Sequence, residues 1–356
     1  MSNETVHSSS ERGRGGSRFS PWLLAAALFL VAVVNISVGS ISIPPLNVIG
    51  ILANKTGLLH ITTTWPQTFE IILYDIRLPH TVLLALTGMA LAASGSAYQG
   101  LFRNPLADPY ILGIASGAGL GAVLAMSVKW PYQLSSMFII PAAAFVGAMI
   151  TVWLVYSLAK IGRSTPVSTL ILAGVAVSSF MSSITSLIMI LSREELHRAV
   201  SWLFGGFSLG GWEPVLASLP YYLIGISLMM VLGRPLNVLQ FGDDQAKQMG
   251  LNVERYKLVI VVTASMVAAT AVSFSGIIGF VGLIVPHIVR LIWGADYRRI
   301  IPRAVLGGGI FLLLTDIIAR VVMAPSVLPV GVVTSVIGAP FFLWLLRKTR
   351  REIGYW

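Results

Sequence analysis

Apolar stretches of about 20 residues recur along the whole chain, and they constrain its fold more than any other feature. A helix needs about 20 mainly apolar residues to cross a bilayer, where its backbone polar groups must be satisfied internally. Only 11% of the residues are charged, against about 25% in a soluble domain. The predicted spans are 21–39, 78–101, 109–128, 135–159, 167–191, 214–232, 258–274, 277–293, 304–323 and 332–346.

The distribution of basic residues predicts how these spans cross the membrane. With the N-terminus in the cytoplasm, 18 of the 24 Lys and Arg lie on the inner side and six on the outer side. This is the asymmetry of the positive-inside rule. The net charge of +10 therefore reports topology and indicates no nucleic-acid partner. The sequence predicts an all-α polytopic membrane protein with about ten transmembrane helices and both termini in the cytoplasm.

The predicted organisation is a single membrane domain with two tails. Residues 1–20 are rich in Ser, Gly and Arg and are expected to form a disordered cytoplasmic tail. Residues 21–346 form the transmembrane domain, and 347–356 form a basic cytoplasmic tail. Four aromatic residues are expected near the outer interface, where aromatic belts form, namely Trp130, Trp202, Phe204 and Trp212.

The segment 103–109 predicts a stiff corner between the second and third spans. Pro105 and Pro109 fix their own φ angles, and each pushes the preceding residue, Asn104 or Asp108, towards extended backbone. Asp108 is placed to cap the next helix, with Pro109 at its first position. Small residues at a spacing of four flank the corner and favour close helix packing, with a channel lining as the alternative. They are Gly88, Ala92, Ser96 and Gly100 before it, and Gly113, Gly117 and Gly121 after it.

The inner segment 233–257 is the longest charged connection and predicts two short helical elements. Asp243 is a good N-cap, Gly250 is a C-terminal stop, and Asn252 can cap a second helix that leads into the seventh span. A merely solvated connection is the alternative interpretation.

Several kinds of chemistry are absent from the sequence. It has no cysteine, no G-x-x-x-x-G-K-[ST] phosphate loop and no H-E-x-x-H zinc motif. Any ATP hydrolysis must therefore belong to another subunit. Asp316 and Arg320, spaced i and i+4 in the ninth span, are expected to form a salt bridge.

Four blocks of sequence resemble one family. The stretch SGSAYQGLFRNPLADPYILGIASGAGLGA (94–122) is similar to the signature of FecCD-type permeases, the transmembrane subunits of type II ABC importers for iron-siderophore complexes, haem and cobalamin. IRLPHT (76–81), GFVGLIVPHIVRLIWGADYRRIIP (279–302) and LPVGVVTSVIGAPFFLWLL (328–346) resemble further family blocks.

The resemblance implies an assembly and an architecture. The permease acts as a homodimer with two ATPase subunits, which hold ATP and Mg²⁺, and with an extracytoplasmic substrate-binding protein. This chain itself holds no cofactor and no metal. The family fold consists of two five-helix halves related by inverted topology, as in other transporters with internal repeats.

The resemblance also implies three groups of site residues. ATPase coupling falls to Asp243, Gln245, Ala246, Met249 and Gly250. Docking of the binding protein falls to Arg77, His80 and Arg320, although His80 replaces a usual arginine and Val327 replaces a common glutamate. The translocation pathway falls to Ser178, Ser179, Ser182, Val332, Thr334 and Ser335.

The sequence leaves alternatives open for the cargo and for the class of transporter. A ferric siderophore is ranked first because it is the broadest cargo class, with haem or cobalamin as alternatives. An ion-coupled secondary transporter would need intramembrane carboxylates, and only Asp316 is well placed. An integral membrane enzyme would need a catalytic cluster that the sequence lacks.

Overall fold

The computed structural model describes residues 21–39, 41–55, 65–128, 138–192, 196–206 and 210–353. Within these ranges the regular structure is helical, apart from an isolated β-bridge between Ile161 and Ser164. The predicted tail 1–20 and Trp130 lie outside the described residues.

Ten apolar helices correspond one to one to the predicted spans. Six are long and apolar enough to cross a membrane, and four have apolar segments of 10–17 residues, which in α14 is Val330–Leu345. They are α1 (Pro21–Ser37), α4 (Leu78–Leu101), α5 (Ile114–Met126), α6 (Ile140–Ala159), α7 (Val167–Leu191), α9 (Glu213–Leu239), α11 (Val253–Ser275), α12 (Val281–Trp293), α13 (Tyr297–Val322) and α14 (Val330–Ile353). The polytopic helical fold predicted from the apolar stretches is confirmed. The inverted relation of the two halves stays a prediction.

Shorter helices connect the spans. They are α2 (Pro45–Lys55), α3 (Gln67–Ile71), α8 (Leu196–Leu203) and α10 (Asp243–Gln248), with a π-helical turn Ile72–Arg77 leading into α4 and a 3₁₀ turn Pro109–Leu112 leading into α5. Two predicted boundaries differ from the structure. The charged connection 233–257 is mostly helix, since α9 continues to Leu239 and α11 begins at Val253. The helix α14 continues past 346 to Ile353, so the segment predicted as a basic tail begins as helix, and its place in the cytoplasm stays a prediction.

Glycines allow the central helices to touch backbone to backbone. A Cβ placed on Gly88 of α4 would lie 2.2 Å from the carbonyl oxygen of Gly308 in α13, and one on Gly95 would lie 1.9 Å from that of Gly282 in α12. Likewise, a Cβ on Gly117 of α5 would lie 2.5 Å from the carbonyl oxygen of Gly147 in α6. Close packing is how small residues associate helices where no hydrophobic effect drives them together. The packing interpretation of these glycines is therefore confirmed.

The bundle has two ends, which polar contacts identify. At the Arg77 end, α1 and α13 finish and α4 begins, and Arg320 donates to the carbonyl oxygen of Val38 at 3.0 Å. At the α10 end, α4 and α9 finish and α13 begins, and Gln240 donates to the carbonyl oxygen of Gly100 at 2.8 Å. Because α1 runs towards the Arg77 end and α14 runs away from it, the described chain begins and finishes at the α10 end.

The aromatic residues predicted near the outer interface differ in exposure. Trp202 in α8 is fully buried, whereas Phe204 and Trp212 are exposed. The reason is that α8 packs inwards against the bundle, so that its tryptophan fills the core instead of an interface.

Candidate functional site

At the α10 end, the short helix α10 presents a polar exposed face bounded by special backbone geometry. Gly242 is its N-cap, so the expectation that Asp243 is the cap is wrong; Asp243 occupies the first helical position, where a negative charge still favours the helix. Gly250 has a φ of +85°, and Leu251 donates to the carbonyl oxygen of Ala246 at 3.0 Å. A left-handed glycine followed by a hydrogen bond that spans five residues is a Schellman motif, which ends the helix as the sequence predicts.

The predicted coupling residues divide between the exposed and the inner face of α10. Gln245 and Gly250 are exposed, and Met249 has 58% of its surface exposed. A Cβ on Gly250 would meet nothing within 4 Å. Ala246 is fully buried against its own chain, so it is not available to a partner. The exposed residues form a small platform that ends in an apolar side chain, an arrangement suited to a protein partner.

The corner 103–109 lies directly behind this platform. Asn104 accepts from the Leu106 amide at 2.9 Å, and Asp108 accepts from the Tyr110 amide at 2.8 Å, so both predicted cap and turn roles are formed. Asp108 is the N-cap of the 3₁₀ turn, with Pro109 in its first position. Arg103 approaches Asp243 of α10 at 4.0 Å. The turn is therefore a rigid support that contacts α10.

At the Arg77 end, the predicted docking arginines are engaged by the chain itself. Arg77 is only 7% exposed and donates to the carbonyl oxygens of Ile36, at 2.7 Å, and of Ser37 and Ile41. These carbonyls lie at and just beyond the C-terminus of α1, where a helix leaves acceptors without partners and favours a cation. Arg77 thus holds α1 in place.

A buried carboxylate organises the other members of this group. Asp316 is 1% exposed and accepts from Asn35 at 2.8 Å and from Arg320, and lies 3.2 Å from Nε2 of His80. The predicted Asp316–Arg320 pair is therefore formed. Asn35 also accepts from Thr81 at 2.8 Å, which links α1 to α4. Sequence reasoning missed Asn35 and Thr81, although a lone asparagine in an apolar span was an available signal.

A cavity of about 400 Å³ opens at the Arg77 end. The three predicted docking residues Arg77, His80 and Arg320 all line it, together with Asp316 and Val327. The structure therefore brings these residues to one place, although the two guanidinium groups already have carbonyl or carboxylate partners.

The predicted pathway residues lie on two helices with different surroundings. Ser178 and Ser182 of α7 line a second cavity, of about 350 Å³, which also includes Tyr110, Ser116 and Thr185. Ser179 is exposed beside them. On α14, Thr334 is fully buried and Val332 and Ser335 are half-buried, so this set is turned towards the protomer.

Among the described residues, no group of three or more His, Cys, Asp or Glu side chains is arranged to hold a metal ion. The serine-lined cavity offers hydroxyl groups and apolar walls, and the described residues around it include no nucleophile with an adjacent base. Its chemistry is that of a passage or a binding surface.

Comparisons with known proteins agree with this geometry. The profile of the FecCD transport family matches residues 26–348. The chain is 44% identical over 288 residues to the cobalamin import system permease protein of Halobacterium salinarum, covering 81% of this chain and 76% of that one. It is 36% identical over 338 residues to the hemin transport system permease protein of Yersinia pestis, covering 94% and 98%. A solved metal-chelate type ABC transporter in an inward-facing conformation superposes with a TM-score of 0.79 at 28% identity, covering 92% of this chain and 98% of that one.

Proposed function

Because the chain belongs to the FecCD transport family, the permease subunits of ABC importers, we propose that it carries a chelated iron compound inwards across the cytoplasmic membrane. The assembly is a permease homodimer with two ATPase subunits and an extracytoplasmic binding protein. Both termini and α10 face the cytoplasm, and the Arg77 end faces outwards. The asymmetry of 18 inner against six outer basic residues supports this orientation.

The observation that carries the proposal is the exposed platform on α10. A partner that hydrolyses ATP must contact the permease outside the bilayer. The helix α10 and the turn that ends it expose Gln245, Met249 and Gly250. Its inner face packs on the bundle through the buried Ala246. A displacement of the platform by the partner is therefore transmitted to the core.

The test is site-specific crosslinking. A photo-crosslinking residue at Met249, which is 58% exposed, is expected to capture the ATPase subunit in the assembled complex. The matched control is Phe29 of α1, a similarly exposed apolar residue within a span, which is expected to capture lipid or no protein. Capture of the ATPase from Phe29 and not from Met249 would refute the platform.

A ferric siderophore is the cargo that we rank first, because several relatives carry iron chelates: two relatives are named Fe³⁺-citrate import permeases, and the solved structural relative is of the metal-chelate type. Cobalamin is the second candidate, favoured by 44% identity to a cobalamin import permease. Binding of ferric siderophore, haem and cobalamin to the cognate binding protein, measured side by side, decides between them. Exclusive cobalamin binding would overturn the ranking.

Docking of the binding protein is assigned to the cavity at the Arg77 end. Acidic side chains of the partner would meet Arg320 and His80 there, and would compete with the α1 carbonyls for Arg77. Arg77→Glu is therefore expected to weaken docking strongly and also to loosen α1. His80→Arg is expected to tighten docking, because it adds a permanent charge with bidentate geometry. Unchanged docking affinity in nanodiscs for both variants would place the partner elsewhere.

A further inference from the structure

Lys257 is a buried cation at the α10 end, outside the linings of both cavities. It lies in the second turn of α11 and is only 2% exposed. Its ammonium group contacts three oxygen atoms: Oδ2 of Asp243 at 2.5 Å, the carbonyl oxygen of Thr165 at 3.2 Å and Oε1 of Glu254 at 3.5 Å. An ammonium has three donors, so the three oxygens satisfy it completely.

These three partners belong to different parts of the chain. Asp243 is the first residue of the platform helix α10, and Glu254 belongs to α11. Thr165 belongs to the turn that joins α6 to α7, two residues before α7 begins at Val167. Lys257 is therefore the point at which α10, α11 and the start of α7 meet.

Thr165 is held on both sides of its backbone. Its carbonyl oxygen accepts from Lys257, and its amide donates to Oε2 of Glu254 at 3.0 Å. Its hydroxyl group donates to Tyr156 of α6 at 3.4 Å. The helix α7 begins two residues later, without a side-chain cap at Pro166, so these contacts hold the segment that leads into it.

Burial makes this junction resistant to being pulled apart. A desolvated ammonium is costly unless it is paired and hydrogen-bonded, so Lys257 loses heavily if either Asp243 or Thr165 moves away. The parallel contact of Asp243 with Arg103 is 4.0 Å long and joins two partly exposed side chains, which makes it the weaker of the two links. A displacement of α10 is therefore transferred most firmly to Lys257 and through it to Thr165.

We propose that Lys257 is a positioning residue for transport, which ties α10 to the start of α7 so that the two move as one body. The helix α7 carries Ser178 and Ser182, which line the second cavity. The junction thus joins the platform for the ATPase to the helix of the pathway. This inference rests on the proposed function, in which α10 receives the ATPase.

The test compares variants within the assembled transporter. Lys257→Met removes the charge and keeps a similar length, and Lys257→Arg keeps the charge. Arg255→Met is the matched control, because Arg255 is an exposed cation two residues from Lys257 in α11 and lies outside the platform. For each variant, three quantities are measured: ATPase subunit bound per permease, ATP hydrolysed, and molecules transported per ATP.

Lys257→Met is expected to bind the ATPase as the wild type does and to transport about fivefold fewer molecules per ATP, or fewer still. Lys257→Arg is expected to recover part of that ratio, and Arg255→Met is expected to leave it unchanged. A merely structural lysine would lower the yield of folded complex without changing the ratio of the molecules that fold. If Lys257→Met does not fold, Glu254→Gln takes its place. This variant keeps an acceptor for the Thr165 amide and removes the charge, and it is also expected to lower the number of molecules transported per ATP.

Spin labels at Gln248 of α10 and Ser168 of α7, both exposed, give a second measurement. The distance between them is expected to stay constant when ATP is added to the wild type and to broaden in Lys257→Met. A constant ratio in Lys257→Met, or a label distance that changes with ATP in the wild type, would overturn the inference. Failure of the wild type to bind any ATPase would instead overturn the proposed function, and the inference with it.

Discussion

The helices α4 and α7 are alike in length and apolar character but opposite in their surroundings. Every residue of α4 from Ala90 to Leu101 is buried within the protomer. In α7, only Leu170, Gly174 and Thr185 are buried, and the apolar side chains of Leu172, Phe180 and Ile190 are exposed. Both helices satisfy their own backbone, so the difference lies in what covers their side chains.

This difference separates a helix in the core of the fold from the helix that we propose lines the pathway. The helix α4 contacts α13 and α12 through glycines at positions where no side chain fits. Along α7, several serine hydroxyls donate to the carbonyl one turn earlier in their own helix, as Ser183 does to Ser179 and Ser186 to Ser182. Substitutions at the buried glycines of α4 should therefore damage folding, and those at the exposed serines of α7 should damage function alone.

The largest effect on folding is expected for Gly95→Leu in α4. A Cβ there would lie 1.9 Å from the carbonyl oxygen and 2.5 Å from Cα of Gly282, and backbone cannot yield as a side chain does. We expect a loss of about 3 kcal/mol or more of folding free energy, seen as absence of folded protein in detergent. The control is Gly279→Ala, where a Cβ meets nothing within 4 Å. Wild-type yield and melting temperature for Gly95→Leu would contradict the close contact of α4 and α12.

A smaller but still large effect is expected for Asp316→Ala in α13, the helix that packs along α4. Removing this carboxylate takes one acceptor from the buried amide of Asn35 and one from the guanidinium of Arg320, which keep only their bonds to the carbonyl oxygens of Leu313 and Val38. Breaking a buried ion pair in this way costs about 3–5 kcal/mol, and part of this is recovered here because Arg320 is partly exposed. Thermal unfolding in detergent measures it. Asp244→Asn removes a carboxylate that is 95% exposed and should leave the melting temperature unchanged.

The smallest effect on folding is expected for Ser182→Phe in α7. The exposed serine has room for a ring, so the melting temperature should stay at the wild-type value. Uptake should fall about tenfold, because the ring occupies the cavity and passage depends on its width. Ser157→Phe in α6 is the control, an exposed serine outside the cavity that should change neither quantity. A loss of stability in Ser182→Phe would mean that α7 is packed after all.

How much the sequence predicts depends on which of these two regions is considered. The ten apolar stretches predict the ten apolar helices, because the length and hydropathy of a segment are local properties of the sequence. The corner 103–109 and the stop at Gly250 follow from proline and glycine stereochemistry, and the structure contains both. Local rules suffice where backbone geometry decides.

The residues that the sequence does not predict are those defined by distant partners. Lys257 looks like an ordinary basic residue at the end of a span until Asp243 and Thr165 are placed beside it. Arg77 looks like a surface cation, yet the C-terminus of α1 covers it. Ala246 is predicted to face a partner, but it packs against the bundle of its own chain. The sequence of a six-residue helix does not specify which of its sides packs inwards. Such contacts need the tertiary arrangement.

We propose that this protomer moves a metal chelate by means of ATP hydrolysed on a partner, and transport in a reconstituted system tests this proposal. The permease is reconstituted in proteoliposomes with its ATPase subunit and binding protein, and accumulation of ferric siderophore is followed. We predict accumulation that requires ATP, that ceases when the ATPase is omitted, and that is insensitive to ionophores that abolish ion gradients. Accumulation without the ATPase, driven by an imposed ion gradient, would contradict the account and identify a secondary transporter.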